Sequence, residues 1–168
     1  MASLVADTYM VKREIRGKCK IVADGGIRGY GDIIKALALG ADYVMVGSVF
    51  SRMLESEGDI YCNGKVIEKS KVKYLGGGKF DCPGPLTKTF YGMASGMGQL
   101  SISGSHTKTS EGCVKTLEVK YTMESWVKNM KDYLRSSMSY IGITELKDMA
   151  DKAKCIIASP ATQKSINP

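Results

Sequence analysis

Histidine is almost absent from this chain; His106 is the only one. That excludes a triad that draws a histidine from elsewhere in the sequence. With no Cys-x-x-Cys pair either, it argues against zinc, which needs clustered His and Cys ligands. Aromatics are few, at 8% with one tryptophan, Trp126. The basic residues are not interleaved with them, so a nucleic-acid stacking surface is not expected. No apolar run approaches the ~18 residues of a membrane span, and no membrane partner is expected. Met1 to Arg13 lacks the apolar block of a signal peptide. Gly-Lys-Ser and Gly-Lys-Thr are missing, which excludes a P-loop. The five cysteines, Cys19, Cys62, Cys82, Cys113 and Cys155, are odd in number and widely spaced. That usage points to an intracellular, cytoplasmic protein.

What is present suits a modest core or a piece of a larger one: 168 residues, 43% of them hydrophobic and 24% charged. The net charge of +7 favours anionic ligands such as phosphates, and equally describes a solvated basic surface. Lys20 to Ala23 is a short apolar run that stops at Asp24-Gly25-Gly26, a strand followed by a sharp turn. Asp32 to Leu39 reads as a helix with Gly40 closing it. Tyr43 to Val46 is a second continuously apolar run, which suits a parallel sheet, and it ends at Gly47-Ser48. Residues 20 to 48 therefore form one β-α-β unit. Ligands of such folds sit outside the carboxyl ends of the strands, where Asp24-Gly25-Gly26 and Gly47-Ser48 would lie side by side.

Beyond this unit, Val49 to Leu54 suggests a short helix, and Glu55 to Thr89 reads as irregular apart from a hairpin at Asn63-Gly64. Tyr91 to Gly98 is rich in small residues, and Ser101 to Gly112 is polar and expected to be mobile. Glu124 to Tyr140 places Trp126, Val127, Met130, Tyr133, Leu134 and Met138 at helical spacing, a core-facing stripe. Thr144 is expected to cap a second helix through Lys152, and Lys154 to Ala158 to form a last strand.

Gly25-Gly26 next to a helix N-terminus is a candidate phosphate cradle, since glycine lets backbone N–H groups approach an anion with no Cβ in the way. Asp24 cannot bind phosphate but can accept two hydrogen bonds from a ribose diol. Any strand-turn-helix can carry Asp-Gly-Gly, so this feature alone is weak.

The run IVADGGIRGYGDIIKALALGADYVMVGS (Ile21 to Ser48) resembles the end of the barrel in the IMP dehydrogenase and GMP reductase family. So do ESEGD (Glu55 to Asp59), FYGMAS (Phe90 to Ser95), TSEG (Thr109 to Gly112) and, loosely, SSMSYIG (Ser136 to Gly142), in that order. The resemblance implies an α/β fold, the C-terminal part of a (β/α)8 TIM barrel with its last two strands, flap loop and closing helices. Residues 1–168 would be one partial barrel domain. Residues 14–54 would be the phosphate-binding β-α-β unit, 55–120 the hairpin, insertion and flap, and 121–168 the C-terminal helices and tail.

Carried over by position, Asp24 would hold the ribose. Gly25, Gly26, Gly47 and Ser48 would hold the phosphate, helped by Tyr91. Gly92, Met93 and Ala94 would line the base. Lys108, Thr109, Ser110, Glu111 and Gly112 would form the flap over the purine, with Glu111 as the catalytic carboxylate. Thr107 and Lys108 would meet NADPH, and Ser137, Met138, Ser139 and Tyr140 would lie near the NADPH of an adjacent subunit.

The TSEG flap followed by Leu117-Glu118-Val119 is similar to the GMP reductase branch, and no Arg-Tyr pair of the dehydrogenase kind occurs between residues 98 and 120. A carboxylate suits guanine, whose N1–H and 2-amino groups are donors. The tail, IIASPATQKSINP, also looks like that branch. The implied reaction is the NADPH-dependent reductive deamination of GMP to IMP, in which a cysteine thiolate attacks C2 of the purine.

In the family that cysteine lies on a loop well ahead of the Asp-Gly-Gly turn, whereas 23 residues precede Asp24 here. Cys19, at the start of a strand, reads as a small core residue. The expectation is a C-terminal segment, completed by an N-terminal barrel half that carries the cysteine and, as an option, a monovalent cation. The complete assembly would be a homotetramer. An IMP dehydrogenase-like segment and a non-catalytic purine nucleotide-binding remnant stay open as alternatives. Lys108 in place of arginine, Ala94 in place of serine and an insertion at Ser70 to Pro85 depart from the reductase pattern.

Overall fold

The computed structural model describes residues 2–105, 109–110, 114–159 and 162. The chain divides into two compact units. The first comprises residues 1–45 and 132–168, the second residues 46–131.

In the first unit, α1 (Ala2–Glu14) leads to β1 (Val22–Ala23), α2 (Tyr30–Ala38) and β2 (Tyr43–Val44). The strands pair in parallel, Val22 with Tyr43 and Ala23 with Val44. This is the β-α-β unit that the two apolar runs imply. Its core gathers Val5, Ile21, Ala23, Ala36 and Ala41, with Tyr9, Leu39 and Val44 packed against them. Asp42 locks the strand entry. It accepts hydrogen bonds from Lys12 at 2.8 Å, Lys20 at 3.1 Å and the Ile21 N–H at 2.8 Å. Burial works to raise its pKa, but these donors outweigh it and hold the carboxyl at about 2. The C-terminal residues return to this unit. Tyr30 stacks on Tyr133 with ring centroids 5.0 Å apart, and Asp151 receives bonds from Tyr9 at 2.9 Å and Arg13 at 2.6 Å.

The second unit is organised around a four-stranded sheet, where the sequence predicts an irregular stretch over 55–89 apart from one hairpin. Strands β3 (Ile60–Cys62), β4 (Lys65–Ile67), β7 (Leu86–Tyr91) and β8 (Val114–Glu118) lie in the order β4-β3-β7-β8. The Asn63-Gly64 hairpin is present as expected, pairing Cys62 with Lys65. A separate hairpin, β5 (Tyr74–Gly76) and β6 (Lys79–Phe80), turns through the triple glycine. The core here is Ile60, Cys62, Leu86 and Val119. A disulfide joins Cys62 to Cys82. The antiparallel register, Cys62 opposite Leu86, brings the residues just ahead of Leu86 beside Cys62. Cys62 is thus the last residue of β3. α3 (Gly96–Ser103) follows β7. The helix expected from Val49 is a single 3-10 turn, Phe50–Arg52.

α4 (Met123–Tyr140) matches the expected helix and runs from the second unit into the first. Its N-terminal Met123 N–H meets both Glu55 carboxylate oxygens, at 3.0 and 2.9 Å, where a negative charge suits the helix dipole. Only Trp126 of the stripe is buried, edge-on to Phe50 at 5.4 Å, and Tyr133 is exposed.

Three further expectations are corrected. The helix after Thr144 is a 3-10 turn, Leu146–Asp148, running into α5 (Met149–Lys152), with Glu145 in the cap position of that turn and no side-chain cap. Lys154 to Ala158 forms no strand, because it finds no pairing partner among the described residues, and Ile156 and Ile157 are exposed. Cys19 is exposed in the link between α1 and β1, not in the core. The two parallel strands do not close a barrel, so the structure shows an α/β fold without the closed (β/α)8 ring. No described helix is long and apolar enough to cross a membrane.

Candidate functional site

The expected site residues fall into both units, and each group is positioned by its own local structure. In the first unit β1 and β2 end level, with the Met45 N–H donating to the Ala23 carbonyl at 2.8 Å. Immediately after β1 the chain turns at Asp24. Gly25 and Gly26 follow at φ 92° and 72°, two successive left-handed residues. Side-chain-bearing residues rarely adopt that conformation, so glycine is required at this pair. The turn leaves Asp24 exposed, with no hydrogen bond or ion pair among the described residues. The next helix does not offer a wholly bare terminus, because the Asp32 carboxylate already accepts the Arg28 N–H at 2.9 Å.

The candidate cofactor residues close α4 in this unit. Gly142 N–H donates to Ser139 O at 3.1 Å and Ile143 N–H to Met138 O at 3.0 Å, the paired bonds of a Schellman ending. They pin Ser137 to Tyr140 in helical geometry. Tyr140 is 90% exposed, presenting its ring to solvent, and Ser139 is also exposed.

In the second unit Gly47 and Ser48 are exposed ahead of buried Val49, and the Gly47 carbonyl accepts Phe50 N–H at 3.0 Å to open the 3-10 turn. A Cβ on Gly47 would meet nothing within 4 Å. Packing among the described residues therefore does not explain the glycine. Gly92 is likewise open.

The stretch Tyr91 to Ala94 leaves β7 as a tight turn fixed by Ser95. Ser95 N–H and Oγ both donate to the Gly92 carbonyl, at 2.9 and 2.6 Å, and the same Oγ caps α3 by accepting Gly98 N–H at 3.1 Å. Ser95 is 1% exposed while Met93 is 73% exposed, so the turn is anchored from below and open above. Tyr91 is half-buried, with its hydroxyl 3.5 Å from Ser101. Thr109 and Ser110 are exposed. The expected residues Thr107, Lys108, Glu111 and Gly112 lie outside the described residues, as do His106 and Cys113.

Two residues here escaped the sequence reading. Gly98 packs so closely beneath the turn that a Cβ would lie 2.5 Å from Gly92 O and 2.6 Å from Met93 O. Lys88, in the middle of β7, is 1% exposed. Its ammonium donates to the carbonyls of Met53 and Ser56, both at 2.9 Å, and to the Ser56 hydroxyl. Burial and the neighbouring Lys69 push its pKa down to about 8, against a partial pull upward from Glu55 and Glu57. The only sequence signal was a lysine at an inward position of an alternating strand. Among the described residues no group of His, Cys, Asp and Glu could hold a metal ion.

Comparison with known proteins shows the family. Residues 2–168 match the family model described as the IMP dehydrogenase / GMP reductase domain. GMP reductase 1 of Mus musculus is 34% identical over 143 residues, covering 83% of this chain and 35% of that protein. The inosine-5'-monophosphate dehydrogenase of Methanocaldococcus jannaschii is 36% identical over 154 residues, covering 88% of this chain and 29% of that protein. The crystal structure of a GMP reductase variant from Trypanosoma brucei, in complex with guanosine 5'-monophosphate, superposes with a TM-score of 0.76 at 26% identity. It covers 99% of this chain and 31% of that one. The chain thus spans about a third of the length of the curated relatives it matches. The strand-turn-helix at Asp24-Gly25-Gly26 and the turn at Tyr91 to Ala94 accordingly sit in a chain that belongs to the IMP dehydrogenase / GMP reductase family.

Proposed function

We propose that this chain is the C-terminal part of a GMP reductase-type oxidoreductase. The observation that carries the reading is the turn after β1: an unpartnered Asp24 carboxylate followed by two successive left-handed glycines. That combination offers acceptors for a ribose diol and bare backbone N–H groups for a phosphate, the two ends of a nucleoside monophosphate. Asp24 takes the ribose hydroxyls. Gly25, Gly26, Gly47 and Ser48 take the phosphate, helped by the Tyr91 hydroxyl. Gly92, Met93 and Ala94 face the base, and Thr109, Ser110 and Gly112 cover it. Glu111 accepts from guanine N1–H and the 2-amino group, which favours GMP over a purine lacking that amine.

The reaction replaces the 2-amino group of guanine by hydrogen, releasing ammonia, and NADPH supplies the hydride. Tyr140, exposed at the pinned end of α4, lies with Ser137, Met138 and Ser139 near the nicotinamide cofactor of an adjacent subunit, and Thr107 and Lys108 are further cofactor residues. The other barrel strands, the cysteine nucleophile and a monovalent cation site come from an N-terminal barrel half beyond these residues. The complete enzyme is a cytoplasmic homotetramer. The level of identity to a dehydrogenase relative supports a second reading, an IMP dehydrogenase-like segment, in which IMP and NAD are used instead.

Calorimetry with GMP and IMP tests the binding half of this reading. Asp24→Asn weakens GMP binding by roughly tenfold or more, the worth of a charged hydrogen bond. Co-expression with a chain supplying the first six strands tests the catalytic half through NADPH oxidation in the presence of GMP. GMP binding without turnover in any such complement leaves only a nucleotide-binding remnant, and turnover of IMP with NAD selects the dehydrogenase.

A further inference from the structure

We propose that Lys88 is a positioning residue for nucleotide binding, tying the segment that leaves Gly47-Ser48 to the strand that delivers Tyr91 to Ala94. The inference rests on the nucleotide reading above and extends it to a side chain that touches no ligand. Met53 follows Ser48 by five residues and Tyr91 follows Lys88 by three. The ammonium of Lys88 spans the gap between the two segments, reaching Met53 O and Ser56 O at 2.9 Å each and the Ser56 hydroxyl.

A buried ammonium is costly, and a hydrophobic residue of similar size fills such a site at least as well. What the lysine adds is direction: three protons aimed at three fixed acceptors. Other bonds hold the same segment at its flanks. Lys120 N–H donates to Arg52 O at 2.9 Å, Leu54 N–H to Tyr121 O at 2.9 Å, and the Tyr121 hydroxyl to Val49 O at 3.0 Å. These fix the 3-10 turn against the residues that follow β8. Lys88 is the bond donor that fixes it against β7.

The charged groups around the ammonium are Lys69, which donates to the same Ser56 carbonyl at 2.8 Å, and Glu55 and Glu57. Glu55 is itself engaged by Met123 N–H. With its pKa lowered to about 8, Lys88 loses a proton, and with it one of the three bonds, as pH rises from 7 to 9. Nucleotide affinity therefore falls across that window.

The test is calorimetric titration of the full chain with GMP between pH 7 and 9, with circular dichroism to verify folding. Wild type binds with an affinity that declines through an inflexion near pH 8. Lys88→Met binds roughly tenfold more weakly at pH 7 and shows no inflexion, and Lys88→Arg, which keeps the charge, retains binding without the inflexion. A folded Lys88→Met that binds as wild type does, with the same pH profile, overturns the proposal. Should that variant fail to fold, Lys69→Ala decides. Removing the repelling charge moves the inflexion to higher pH, and an unmoved inflexion overturns the proposal. Absence of GMP binding by the wild-type chain at every pH sinks the nucleotide reading itself, and this proposal with it.

Discussion

Gly98, at the first turn of α3, lies directly against the carbonyl of Gly92. An added Cβ would sit 2.5 Å from that oxygen and 2.6 Å from the Met93 oxygen. Both atoms are backbone, so neither can move aside as a flexible side-chain tip could. Gly98→Ala must displace the turn that presents Gly92, Met93 and Ala94. The expected outcome is a destabilisation of about 1–3 kcal/mol, the usual cost of overpacking, and a larger relative loss of GMP affinity. Denaturant titration and calorimetry measure the two separately, and unchanged values in both would show that the turn accommodates a methyl group.

Asp42 makes stability depend on acid. Its folded pKa, about 2, lies below the ordinary 3.8, so its ionised form is favoured by folding. The contribution is complete above about pH 4 and is lost as pH falls towards 2. Discounted for partial exposure, it amounts to roughly 1–2 kcal/mol. Asp42→Asn should remove that loss from a stability profile between pH 5 and 2, and an identical acid dependence in wild type and variant would contradict the assignment.

The Cys62–Cys82 disulfide closes a span of 20 residues that includes β4, β5 and β6. Chain-entropy arguments assign such a closure about 3 kcal/mol. The two cysteines line a cavity of about 620 Å³ together with Asn63, Lys65 and Asp81. A small thiol reductant can reach the bond there. Reduction, or Cys82→Ser, is expected to lower the urea midpoint of the chain, and equal midpoints with and without reductant would rule the contribution out.

What could be read from the sequence was what neighbouring residues decide together. Asp24-Gly25-Gly26, the apolar run Tyr43 to Val46 and the Asn63-Gly64 turn each carry their conformation within a few residues, and the β-α-β unit and hairpin followed. The β7–β8 ladder did not, because it joins Tyr91 to Val114 across more than twenty residues with no local turn signal. Lys88 was hidden for a related reason. Its burial depends on the Met53 and Ser56 carbonyls arriving from another part of the chain. Helix α1 has almost no apolar face: Val5 alone is buried while Leu4, Met10 and Val11 are exposed. Lys154 to Ala158 failed in the opposite sense, being apolar enough for a strand but without a partner among the described residues.

The division of the chain into a continuous unit nested inside a discontinuous one sets an order of events during synthesis. Residues 46–131 hold all of their own sheet, disulfide and Lys88 bonds, so this unit can settle as soon as it leaves the ribosome. The core of the first unit, Val5 to Ala41, lies ahead of that nested unit, but some of its partners lie beyond it. Tyr30 needs Tyr133, and Tyr9 and Arg13 need Asp151, so these contacts of the first unit close only after residues 46–131 have been made.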